Sequence, residues 1–442
     1  MKKVDLKTME KEIACLGLGS EMEAMLGYWH KNNFKPKIIV FDFLSYKQLL
    51  KKYPTIKEWD NVSWTSTKPN FTNLQKYETI IRSPGVFLSP ELRKKLAKKN
   101  LKIISPMQLF LEACPSKKII GITGTKGKGT TASLLYEIIK KSGKKAWLGG
   151  NIGVAPFTFL EKIKEQDYII LELSSFQLED MTTSPAIAVM TNFYPEHLSP
   201  ADPNNPNYHV SLKDYWQAKA KLWQNQNKND ILIANVKIKE KIIKTKPKGQ
   251  VFYTNKGKLV NQLPGEHNKE NIALAEEVAK RLKIKKETYT KAIKNFKGLE
   301  HRLEYIGKKY DALWYNDSFA TTPESAITAL KSFKQSVILL AGGADKGSDF
   351  SQMAKEIKKR KVKQVILFQG KGSDKILKEL KKVKYPKEKI TVVKSMQEAG
   401  RTVKKIVSKE NIILLSPGCA SFGVFKNYKE RGEKFKQLLK KQ

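Results

Sequence analysis

Ile119-Ile-Gly-Ile-Thr-Gly-Thr-Lys-Gly-Lys-Gly-Thr-Thr131 is the stretch on which the reading of this chain turns. Its opening apolar run has the composition of a buried strand, and Ala132–Lys141 behind it reads as a helix. Between them stand Gly124, Thr125, Lys126, Gly127, Lys128, Gly129 and Thr130. A glycine-rich turn from strand to helix points backbone N–H groups and the helix dipole at phosphate oxygens, and Lys128 adds a charge for the terminal phosphates. The spacing departs from the strict phosphate loop. Gly121 lies one residue too far upstream, and Gly129 replaces the hydroxyl residue that normally holds Mg²⁺, for which Thr130 is the substitute.

Outward from this turn, short β-branched runs alternate with helical stretches, the pattern of α/β domains with parallel sheets. Strands are expected at Glu12–Leu16, ending in Gly17-Leu18-Gly19-Ser20, and at Lys37–Asp42, Ile80–Gly85, Lys118–Thr123, Tyr168–Leu173, Ala186–Asn192, Leu313–Asp317, Ser336–Ala341, Gln364–Phe368 and Ile412–Leu415. At 442 residues the chain has room for several domains. Three blocks separate, at 1–106, 107–297 and 298–442.

The 83 Lys and Arg against 43 Asp and Glu give a net charge of +40, which raises the question of nucleic acid. Only seven of these cations are Arg, the side chain suited to forked phosphate and base contacts. The lysines are thinly spread without interleaved aromatics, so a solvated surface is the favoured reading over a nucleic-acid face. No apolar run approaches the roughly 18 residues of a membrane span. Met1–Lys11 mixes Lys with Asp5 and Glu10 and shows no apolar secretion core. Three scattered cysteines suit neither a disulfide framework nor a zinc knuckle. A cytoplasmic setting is expected.

Glu172 ends an apolar strand expected to be buried on both faces, where a carboxylate needs a partner. Mg²⁺ shared with nucleotide phosphates would supply one, as would a hydrogen-bonded neighbour. His197 follows a strand end at the same sheet edge. Alone it reads as structural, and beside a second metal as a ligand.

These motifs, with Asn151, Ser174-Ser-Phe-Gln-Leu-Glu179, Trp216-Gln-Ala-Lys-Ala-Lys-Leu222, Gly265–Asn271, His301-Arg302, Asn316-Asp-Ser318, Gly342–Phe350 and Leu415-Ser-Pro-Gly-Cys-Ala-Ser-Phe422, resemble the Mur ligase superfamily, in its glutamate-adding branch. The resemblance spans nearly the whole chain. It implies a Rossmann-like UDP-binding domain, a central P-loop ATPase with a mostly parallel sheet, and a Rossmann-like C-terminal domain that recruits the amino acid. It implies that Lys128 and its loop hold the β- and γ-phosphates, with Asn271, Arg302 and Asp317 also serving ATP. Thr130 and Glu172 would hold one Mg²⁺; His197 and a carbamylated Lys219 would serve a second. Gly17, Gly19, Ser20, Arg82, Asn151 and Ser174 would meet UDP-N-acetylmuramoyl-L-alanine, and Lys346, Ser416 and Phe422 would line the glutamate site.

The implied enzyme is an ADP-forming, ATP-dependent acid–amino-acid ligase of peptidoglycan precursor synthesis, monomeric and cytoplasmic, that works through an acyl phosphate. D-Glutamate is the favoured amino acid, with an L-glutamate variant the alternative. Gly129 after Lys128 also matches the folylpolyglutamate synthases of the superfamily. Ser199 and Phe319 stand where the motifs carry Asp and Lys, and the second change removes a cation.

Overall fold

The computed structural model describes residues 12–198, 207–255, 257, 263–345 and 347–440. It divides into two compact units, Met1–Gly257 with Glu270–Tyr289, and Lys258–Lys269 with Thr290–Gln442. The first unit carries two sheets and the second carries one.

The first sheet contains β1 (Ile13–Leu16), β2 (Ile38–Phe41), β3 (Val62–Thr65), β4 (Thr79–Arg82) and β5 (Lys102–Ile104). They are all parallel, in the order β3-β2-β1-β4-β5. That is the winding of a dinucleotide-type fold, which places its crevice where β1 and β4 part. The second sheet contains β6 (Ile119–Thr123), β7 (Ala146–Gly150), β8 (Tyr168–Glu172), β9 (Ile187–Met190), β10 (Ile231–Asn235) and β11 (Gln250–Thr254), also parallel, ordered β11-β10-β9-β6-β8-β7. Its central strands are buried on both faces, since helices cover both sides of a parallel sheet.

The third sheet contains β12 (Glu304–Lys309), β13 (Ala312–Asn316), β14 (Val337–Gly342), β15 (Gln364–Phe368), β16 (Ile390–Val393) and β17 (Ile412–Leu415). Its order is β12-β13-β17-β14-β15-β16, and only β12 runs antiparallel, hairpinned to β13. The expected α/β class and parallel sheets are present. Every strand read from sequence exists, within a residue or two at most ends; Ile80–Gly85 stops at Arg82 and turns.

Register decides what each sheet presents. Ile122 pairs with Glu172, and Thr123 with Met190, so β6, β8 and β9 end level with one another. In the third sheet Asn316 and Leu340 both pair with Leu415, which brings the residues after β13, β14 and β17 to one edge. No helix among the described residues is long and apolar enough to cross a membrane.

Candidate active site

The turn after β6 leads into the helix Lys128–Lys141, with left-handed Gly127 (φ 83°) as its N-cap. A Cβ at Gly127 would lie 2.2 Å from Asn271 Oδ1, and one at Gly124 (φ 143°) would lie 1.9 Å from Thr191 Oγ1. Both positions therefore need glycine for space as well as for dihedral angle. The turn is strapped to the segment after β9: Thr125 N donates to Asn192 O (3.0 Å), Lys126 N to Asn192 Oδ1 (2.9 Å) and Thr191 Oγ1 to Lys126 O (2.7 Å). Lys128 curls over it, its Nζ donating to Gly124 O (3.1 Å) and Thr125 O (3.0 Å).

Lys219 comes to the same carbonyl from the helix Leu212–Gln224. It is 1% exposed, its Nζ donates to Gly124 O at 2.9 Å, and it sits 4.5 Å over the Tyr215 ring one turn earlier. Burial pushes its pKa well below the ordinary lysine value and Lys128 pushes it further, against the pull of Glu196 and Glu172. A neutral amine is a nucleophile and can take up CO₂, whereas an ammonium cannot. Tyr215 Oη is 3.2 Å from Thr125 Oγ1, tying that ring to the loop as well.

Glu172 is buried at the end of β8 and accepts from Asn151 Nδ2 at 2.9 Å, so the partner its burial requires is present. His197 is left-handed (φ 59°) and exposed, its ring 5.8 Å from that of Tyr215. Tyr215 thus lies beside both His197 and Lys219. The hydroxyl of Thr130, the carboxylate of Glu172 and the imidazole of His197 are hard or borderline donors of the kind Mg²⁺ accepts.

In the second unit, Asp317 follows β13. Its Oδ2 accepts from Ser416 Oγ at 2.7 Å and its Oδ1 from Leu303 N at 3.1 Å. Burial raises its pKa to about 7, against the lowering effect of those bonds and of Arg302. Phe422 is 58% exposed. The described residues contain one group of His and carboxylates within ligand distance of one another, Glu300, His301 and Glu433. The ammonium of Lys436 already bridges its two carboxylates, at 2.7 Å from Glu300 and 3.2 Å from Glu433.

Residues 122–285 match the Mur ligase middle domain, and residues 301–419 match the glutamate ligase domain of Mur ligases. A UDP-N-acetylmuramoylalanine–D-glutamate ligase of Clostridium tetani is 32% identical over 97% of this chain and 96% of its own length. One from Caldanaerobacter subterraneus is 34% identical over 83% of this chain and 84% of its own. The chain belongs to the Mur ligase family. Solved Mur ligases share its fold: MurC of Thermotoga maritima superposes with a TM-score of 0.54 at 16% identity, covering 97% of this chain and 99% of its own. MurF from the same organism, in complex with ADP, gives 0.54 at 15%, covering 100% and 99%.

Within this Mur ligase, one sequence expectation needs correction. The resemblance assigns Arg82 to the sugar nucleotide, but it is 0% exposed and four of the five N–H donors of its guanidinium are engaged within the protein. Nε pairs with Asp180, Nη1 donates to Val86 O (2.8 Å), and Nη2 donates to Phe176 O (3.1 Å) and Glu179 Oε2 (2.9 Å). Arg93 joins from the helix Pro90–Lys98, 2.7 Å from Asp180 Oδ1. The Ser174–Glu179 string is thus partly a weld to the first sheet. Ser174 caps the short helix Ser175–Leu178 in a capping box with Gln177, whose amide also reaches Glu21.

Gly17 is left-handed (φ 74°) and accepts from Ser83 Oγ at 2.6 Å, while Gly19 precedes the helix Ser20–Lys31 as its N-cap. Asp42, at the end of β2, holds Leu18 N at 2.7 Å. Lys346 and Ser199 lie outside the described residues. Burial raises the pKa of all three cysteines, Cys114 to about 11 and Cys419 to about 12, which disfavours thiolates.

Sequence reasoning missed His209. It is 3% exposed, 2.8 Å from Ser175 Oγ and stacked on Phe176 at 4.7 Å, and its backbone N–H donates to His197 O at 2.8 Å. Burial, followed by Lys219 and His197, lowers its pKa to about 4. It fixes the peptide on which His197 stands. The signal was faint: a second His beyond a Pro- and Asn-rich loop.

Proposed function

We propose that this protein is the ATP-dependent ligase that joins D-glutamate to UDP-N-acetylmuramoyl-L-alanine, forming a peptidoglycan precursor. The observation that carries the reading is the buried amine of Lys219 on the carbonyl of Gly124, inside the phosphate loop and level with Glu172. The relatives that match nearly end to end bear the name of that activity, and the second matched segment is a glutamate ligase domain.

The alanyl carboxylate attacks the γ-phosphorus of ATP, the bond to the β-phosphate oxygen breaks, and an acyl phosphate and ADP result. The glutamate amine then adds to the acyl carbon, loses a proton, and phosphate leaves. The loop N–H groups and Lys128 hold the phosphates in line, with Lys128 turning from Gly124 O and Thr125 O toward the charge that develops on the transferred group. Asn271 packs against Gly127 and fixes the loop's outer edge. Arg302 and Asp317 serve the nucleotide, while Ser416, Phe422 and Lys346 serve the glutamate; Gly17, Gly19, Ser20, Asn151 and Ser174 orient the sugar nucleotide.

Thr130 and Glu172 would hold one Mg²⁺, and His197 with Lys219 a second. Lys219 Nζ, once carbamylated by CO₂, presents oxygen in place of a cation. When bound, the metals neutralise phosphate charge. Domain boundaries near residues 106 and 297, a cytoplasmic setting and a monomeric state complete the reading.

The test is phosphate release from ATP, Mg²⁺ and UDP-N-acetylmuramoyl-L-alanine with each glutamate enantiomer. Turnover with D-glutamate supports the proposal. Turnover with L-glutamate alone would reassign the amino acid, and none with either would overturn it.

A further inference from the structure

The turn Glu300-His301-Arg302-Leu303 holds Arg302 between two left-handed residues, His301 at φ 62° and Leu303 at φ 43°. Non-glycine residues persist in that region where their surroundings over-determine them, and here they do. His301 N donates to Glu304 Oε2 (2.9 Å), Arg302 N to Leu299 O (3.0 Å) and Leu303 N to Asp317 Oδ1 (3.1 Å), while His301 O accepts from Phe319 N (2.9 Å). The backbone under Arg302 is fixed on every side.

Its side chain is held differently. Arg302 is exposed, and among the described residues its guanidinium makes no hydrogen bond or ion pair. It lies instead on the face of Phe319, with Cζ 3.9 Å from the ring centre. That ring is itself 39% exposed and is braced edge-on by Tyr428, with centroids 5.0 Å apart and planes at 88°.

A guanidinium resting on an aromatic ring uses its face and keeps its in-plane N–H donors available. A carboxylate partner would occupy those donors, and a lysine at 319 would repel the guanidinium. We propose that Phe319 is a positioning residue: it holds the Arg302 guanidinium flat, with its N–H edge presented to a nucleotide phosphate. Arg302 so held supplies the cation that a lysine at 319 would otherwise bring. The inference rests on the assignment of Arg302 to the nucleotide.

The test is a double-mutant cycle read by direct ADP titration and by KM for ATP, with melting temperature measured alongside. Phe319→Leu is expected to weaken ADP and raise KM for ATP roughly three- to tenfold, leaving KM for glutamate and the melting temperature near wild type. Phe319→Tyr should restore binding. In an Arg302→Ala background, Phe319→Leu should add less than about twofold, because the ring acts through the guanidinium. Unchanged ADP affinity in Phe319→Leu, or an effect that multiplies in full with Arg302→Ala, would overturn the inference while leaving the ligase reading intact. A wild-type protein that fails to bind ADP would overturn both.

Discussion

The carboxyl ends of the first and second sheets look alike in sequence, each a strand running into glycines with a cation nearby, yet they use their charges in opposite ways. At the second sheet Lys128 and Lys219 converge on one carbonyl, Gly124 O. At the first, Arg82 is locked between Asp180, Glu179 and two carbonyls. Amines gathered on a carbonyl of a glycine-rich turn suit an entering anion, whereas a guanidinium held by two carboxylates and two carbonyls of its own protein is a structural part. A charged residue at a strand end therefore reveals its role through what already occupies its donors.

The contrast is sharpest under substitution. Lys128→Ala and Lys219→Ala are each expected to reduce turnover by about 10²–10³-fold or more, with the melting temperature nearly unchanged. Steady-state rates beside thermal melts check this, and a large fall in melting temperature would make either lysine structural. Arg82→Ala should do the reverse, costing about 3 kcal/mol of stability, the low end for a broken buried pair because Arg93 still holds Asp180 Oδ1. Denaturant unfolding measures that loss, and an unchanged midpoint with raised KM for the sugar nucleotide would return Arg82 to the substrate.

Gly127→Ala sharpens the comparison at the loop itself. Its Cβ would meet Asn271, so KM for ATP should rise about tenfold or more, read by ADP titration; unaltered affinity would show that the loop has slack. The smallest effect is expected at His209, whose pKa falls from 6.5 to about 4 on folding. Between those values the unfolded chain binds the proton and the folded chain does not. Its contribution is therefore present above pH 6.5 and is lost as pH falls toward 4. His209→Gln should flatten the stability–pH curve in that window, and an unchanged slope would remove the group from the account.

What was legible in the sequence follows burial. The strands read in advance were interior ones such as β6, β8 and β14, because fully buried strands are continuous β-branched runs. Those missed include all six sheet edges, β3, β5, β7, β11, β12 and β16. Val62-Ser-Trp-Thr65 and Glu304-Tyr-Ile-Gly-Lys-Lys309 carry polar residues because one side faces solvent, and that breaks the run. Interior β10 was missed despite its apolar run Ile231-Leu-Ile-Ala234.

The loop and Glu172 stand out in the sequence because their chemistry is concentrated in short motifs, and Lys219 enters only through the family resemblance. The engagement of Arg82 was not, since Asp180 lies 98 residues away and only the folded sheets bring them together. The bond between Asp317 and Ser416 was hidden in the same way. The motifs assign the acid to the nucleotide and the hydroxyl to the amino acid, and nothing local says that they touch.

The most direct test of the central claim follows oxygen. UDP-N-acetylmuramoyl-L-alanine labelled with ¹⁸O in both carboxylate positions is turned over with ATP and D-glutamate, and the released phosphate is weighed by mass spectrometry. Attack of that carboxylate on the γ-phosphate predicts one ¹⁸O in each phosphate released with product. Unlabelled phosphate accompanying amide formation would contradict the account.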